Sequence, residues 1–81
     1  MNANTRLATA ITYTGAKLSS LHPLFPLSKS QTLVDDATNL LLKASVELVG
    51  GHPIQARKYA AAFLEAQMAE DLLEQERAYL A

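Results

Sequence analysis

Few side chains in this 81-residue chain have the chemistry to act on anything, and they are scattered. His22 and His52 each stand directly before a proline, Asp35 and Asp36 are adjacent, and the tyrosines are Tyr13, Tyr59 and Tyr79. A general base or a metal site would need both histidines and a carboxylate at one point, and no spacing in the sequence brings them there. With no cysteine, thiolate metal sites and disulfides are excluded. No glycine-rich phosphate loop, His-Glu-x-x-His helix, nucleophile elbow or calcium loop is present. The histidines therefore read as turn or capping residues, the aspartates as helix-start charges, and the tyrosines as partly buried rings with a wet hydroxyl. We expect a non-enzymatic protein with no catalytic residue, no cofactor-binding residue and no metal ligand.

The elements that carry these residues are all helical by pattern. Leu7, Ile11, Thr14, Leu18 and Leu21 follow a 4-3-4-3 spacing, one stripe of a helix over about 5–21, with Gly15 permitting close backbone approach. Asn2, Asn4 and Thr5 are its candidate caps. Pro23 and Pro26 rule out regular helix in a connector over 22–28. Leu24 and Phe25 make that connector apolar, so it is expected to pack on the core or lie under another chain. The alternative, a Pro-x-x-Pro ligand for an aromatic groove, belongs in more charged and open surroundings.

Ser28 with Gln31 fits a capping box at the start of a second helix over about 30–49, and Ser30 is a second candidate cap. Val34, Ala37, Leu41, Ala44 and Leu48 form its stripe. Leu33, Leu40, Leu42, Val46 and Val49 widen the apolar surface beyond what one neighbour covers. Gly50-Gly51-His52-Pro53 then makes a corner, with Gly50 as the residue past the helix end and Pro53 at the first position of the next helix. The third helix is expected to run unbroken over about 53–79, roughly 40 Å against roughly 30 Å for the second. Its apolar stripe can be drawn through Ile54, Ala61, Leu64, Met68, Leu72, Gln75 and Tyr79, with Phe63 and Leu73 off its centre. His22-Pro23-Leu24 and His52-Pro53-Ile54 resemble each other only as a shared way of ending one element and starting the next.

Charge is unevenly spread. The chain as a whole carries −1, but residues 1–58 hold six basic and three acidic residues, and residues 59–81 hold one basic and five acidic. The third helix thus begins with Arg57-Lys58 and ends with Glu70, Asp71, Glu74 and Glu76, the wrong way round for its own dipole. Two third helices running antiparallel would set Arg57 and Lys58 opposite Glu74 and Glu76. A basic partner surface on the acidic end would relieve the same strain.

The fold expected is all-α: three helices with a C-terminal hairpin, a short second helix and a long third, in a single domain over 1–81 and completed by oligomerisation. A core this small supplies roughly 3–5 kcal/mol alone, so a further chain is the available supplement. The function expected is a small protein–protein interaction module, an adaptor, assembly subunit or inhibitor of the kind phages and mobile elements often encode. Its partners would be itself, as a homodimer with antiparallel third helices, and/or a larger protein. Leu24, Phe25, Arg57, Lys58, Met68, Glu70, Asp71, Leu72, Glu74 and Tyr79 are the residues expected to meet them. The alternative is a helix-turn-helix regulator using the Gly50–Pro53 corner, in which Gln55, Arg57 and Lys58 would read nucleic acid. The acidic run from Glu65 onward and the missing net positive charge argue against it. No apolar run reaches the roughly 18–20 residues of a membrane span, and the first residues lack a signal-peptide pattern. A soluble cytoplasmic protein is therefore expected.

Overall fold

The computed structural model describes residues 2–25 and 28–80, and within them the chain is helical with no strand. Helix α1 spans Ala3–Ser20. The Asn2 side chain caps it, accepting from the Thr5 amide at 2.8 Å. Its threonines tolerate the helix because Thr9 and Thr12 return their hydroxyls to the carbonyls of Thr5 and Ala8, at 2.9 and 3.0 Å. Leu7, Thr14 and Leu18 are buried, with Ile11 and Leu21 half-buried, so the 4-3-4-3 stripe is the face that packs. An added methyl on Gly15 would meet Leu41 at 3.6 Å, an ordinary contact, so space alone does not require glycine there.

Helix α2 spans Lys29–Val49. Ser28 caps it, taking the Gln31 amide at 3.2 Å. The reciprocal arm of the box is not made, because the Gln31 side chain donates to Asp35 at 2.9 Å. Ser30 is no cap either. It is fully buried, and its hydroxyl donates to Glu76 at 3.0 Å. At the other end the glycines divide their work differently from the expectation. Gly50 is the last near-helical residue, and Gly51, at φ +83°, takes the left-handed position. The Gly51 amide returns to Leu48 at 3.1 Å and the His52 amide to Glu47 at 2.7 Å. Those two bonds are a Schellman closure, which satisfies carbonyls the helix would otherwise leave open.

The third helical run is broken. Helix α3 spans Pro53–Arg57 and helix α4 spans Ala61–Leu80, with a tight turn between them. Bonds from residue i to i−3 run through the junction, from Lys58 to Gln55, Tyr59 to Ala56 and Ala60 to Arg57, each at 3.1 Å. The reason is rotational. At roughly 100° per residue, six residues leave Ala56 and Ala62 about 120° apart, whereas at roughly 120° they complete two turns. Overwinding therefore carries Ala56, which is buried, toward the face that Ala62 presents to α2. With the break, α4 has 20 residues against 21 in α2, so the third helix does not outrun the second.

Helix α2 is central, packing against α1, α3 and α4. Leu18, Val34, Ala37, Leu41, Ala62, Ala66 and Ala69 form the core cluster, with Ile11, Leu33, Leu40 and Phe63 packed against it. On α4 the buried face is Ala62, Ala66, Ala69 and Leu73, again at 4-3-4 spacing. It is not the stripe of large residues drawn from the sequence. These alanines share the core cluster with Ala37 of α2, and small side chains in a seam let two helices approach closely. Leu73, expected off centre, has no exposed surface at all. The molecule is elongated, 45 × 24 × 15 Å, with a radius of gyration of 13.7 Å. A compact domain of this length has about 11.7 Å.

Candidate interaction surfaces

Helix α4 buries Ala62, Ala66, Ala69 and Leu73 and packs Phe63 on the core, while its other large apolar side chains face largely outward. Leu64 is 65% exposed, Met68 46% and Tyr79 90%. Leu72 is half-buried beside Met68, where a shallow groove also takes in Lys29 and Leu33 of α2. Ile54 is exposed on α3. A second apolar face lies on α2, where Leu42, Val46 and Val49 are exposed. It adjoins a groove of about 300 Å³ between α1 and α2, floored by Ile11, Leu18 and Leu41 and rimmed by Gly15, Thr38 and Ser45. These residues follow a 4-3 spacing of their own, so the sequence carried the signal for an outer stripe on α2. Leu64 and Ile54 belong to the apolar stripe drawn for the third helix, the same stripe that holds Met68, Leu72 and Tyr79, expected at a partner.

The connector is less packed than expected. Leu21 and Pro23 are half-buried, yet Leu24 and Phe25 are exposed. Pro26 and Leu27 lie outside the described residues. Of the tyrosines, only Tyr59 is a half-buried ring; Tyr13 and Tyr79 are exposed. The Lys17 ammonium stands over the Tyr13 ring at 5.5 Å from its centre, a cation–π contact.

The charge polarity of the third run is partly answered within the chain. Antiparallel packing lays the acidic end of α4 beside the start of α2, where the Ser30 hydroxyl and the helix dipole both favour the Glu76 carboxylate. Glu70, expected at a partner, pairs instead with Lys17 of α1 at 3.3 Å, and Lys17 also donates to Gln67 at 3.2 Å. Arg57 is exposed and donates to Asn4 at 3.3 Å. Asp71 accepts from Gln67 at 3.0 Å and is otherwise open to solvent. Lys58 and Glu74 are exposed, and among the described residues neither has an ion-pair partner. The ten residues expected at an interface are thus not brought to one place. Met68, Glu70, Asp71, Leu72, Glu74 and Tyr79 share α4, Arg57 and Lys58 precede it, and Leu24 and Phe25 lie on the connector.

Two other groups show how the surface is tuned. The His52 ring does not cap α3; its Nδ1 faces Glu47 at 3.1 Å, across the corner. One oxygen of Glu65 is buried without a hydrogen-bond partner. Burial first, and then the charge of Asp36, push its carboxyl above the ordinary carboxylate range. Among the described residues, no three histidine or carboxylate side chains converge as a metal ion would need, and no helix is long and apolar enough to cross a membrane.

Comparison of the chain with protein-family models, with curated proteins and with solved structures found no match.

Proposed function

We propose that the chain is a small protein–protein interaction module, an adaptor, assembly subunit or inhibitor working in the cytoplasm without enzymatic chemistry. Its partners are a second copy of itself and/or a larger protein. One observation carries the reading: α4 turns Leu64, Met68 and Tyr79 to solvent while filling its buried face with alanine. Surface apolar residues are normal singly, but a row of large ones along a helix marks a contact site. The outer face of α2, with Leu42, Val46 and Val49, supports a second contact.

The test is co-purification from the native cell at endogenous level, beside sedimentation of the pure chain. The reading expects a stoichiometric assembly that Leu42→Glu/Val46→Glu or Leu64→Glu/Met68→Glu dissolves while helical circular dichroism is retained. A pure chain that sediments as a monomer and co-purifies with nothing in stoichiometric amount would overturn it.

A further inference from the structure

We infer that the outer face of α4 is the seat of a second copy of this chain, packed with the two α4 helices antiparallel across a two-fold axis. The inference rests on the interaction-module reading and names one partner and one geometry for it.

Area is the first argument. A typical monomer of 8.8 kDa exposes roughly 4,800 Å². This chain exposes 5371 Å², an excess of about 600 Å². Each partner in a standard interface buries roughly 800 Å². The surplus is comparable to what one side of a dimer removes, and Leu64 and Met68 are exposed apolar side chains on α4 that such a contact would cover.

Charge gives the direction. The basic residue ahead of α4 is Lys58, in the turn after α3, and the acidic flank on α4 is Asp71 and Glu74, all exposed. Parallel helices would set Asp71 and Glu74 beside their own copies, and like charges opposed across an interface are unfavourable. An antiparallel pair centred near Ala66 sets Lys58 of one copy beside Glu74 of the other. In that register Leu64 meets Met68 of the second copy, twice over. The same patch serves both copies, so the contact closes at two and cannot propagate into a filament. Glu70 and Glu76 are not needed, because Lys17 and Ser30 already hold them within the chain.

The absence of cysteine makes the geometry directly testable. Leu64→Cys and Met68→Cys chains, mixed and mildly oxidised, should give the mixed 64–68 disulfide in excess over 64–64 and 68–68. In sedimentation equilibrium the natural chain should dimerise. Met68→Glu should weaken the dimer at least about tenfold, a loss of about 1.4 kcal/mol. Lys58→Glu should weaken it as well, and Lys58→Glu/Glu74→Lys should restore it. All four positions are solvent-facing, and the charge-swap pair needs no apolar substitution, so folding is not the variable. A natural chain monomeric at every concentration, excess 64–64 and 68–68 disulfides, or a charge swap that fails to restore would each overturn the inference. A monomer that still co-purifies with a larger protein through Leu42 and Val46 would end the dimer and leave the module reading standing.

Discussion

Helices α2 and α4 are nearly equal in length and pack side by side, yet they divide their residues by opposite rules. On α2 the stripe read from its apolar spacing is the buried one: Val34, Ala37, Leu41 and Ala44 are inside. On α4 the stripe read from spacing is largely outside, with Leu64, Met68 and Tyr79 exposed, and Ala62, Ala66 and Ala69 are inside with Leu73. Both helices bury alanine and expose some large apolar residues, since α2 buries Ala37 and Ala44 and exposes Leu42, Val46 and Val49, but the stripe drawn from spacing is the buried one only on α2. The lesson is that a seam between helices selects for fit before it selects for hydrophobic area. Beside Ala37 of α2 the seam takes alanine from α4, and Leu64, Met68 and Tyr79 are left exposed.

The sharpest way to break this contrast is to substitute leucines ten residues or fewer apart on α4. Leu73→Ala should cost about 2–5 kcal/mol in urea unfolding, because it empties a fully enclosed site. Leu64→Ala, at low concentration, should cost under about 0.5 kcal/mol. Equal losses would erase the distinction between the two faces. The reverse change probes the seam itself. Ala66→Leu adds volume where none is free, and should destabilise by about 1–3 kcal/mol. On hydrophobicity alone the same change would stabilise.

The reason this was only half legible in the sequence is physical. A hydrophobic stripe is seen by its large residues, and alanine contributes little contrast whichever way it faces. Helices α1 and α2, whose cores contain Leu7, Leu18, Val34 and Leu41, were therefore readable by spacing, and so was the cap at Ser28. The break at residues 58–60 was not, because Lys58, Tyr59 and Ala60 carry no breaker. It answers to the rotation that α2 requires of Ala56. At the corner after α2 either of two adjacent glycines could take the left-handed turn, and only the bonds to Glu47 and Leu48 choose Gly51 over Gly50. The charge reversal of the third run was visible, but sequence order could not show that Ser30 and Lys17 answer Glu76 and Glu70.

Glu65 sharpens the comparison at the border between the two faces of α4. A carboxyl whose pKa is raised on folding binds its proton more readily folded than unfolded. Its charge therefore destabilises the fold above the raised pKa, and stability returns as pH falls through it toward the ordinary carboxylate range. Glu65→Gln should stabilise at neutral pH and remove that part of the pH dependence, read from urea melts at several pH values. Asp36→Asn should act in the same direction and more weakly, since burial is the larger cause. The effect at Gly15 on α1 is also small. With ordinary contact waiting for a methyl group, Gly15→Ala should raise stability by about 0.5–1 kcal/mol in thermal melts.

Thiol labelling of single-cysteine variants, against concentration, tests the central claim most directly, because the natural chain contributes no background. Met68→Cys should react fast in dilute solution and slow as the protein is concentrated, while Ala69→Cys, one residue on, should stay protected throughout. Fast labelling at position 69 with protection at 68 in dilute solution would contradict the account, since it would put the alanine face outside and the large residues in the core.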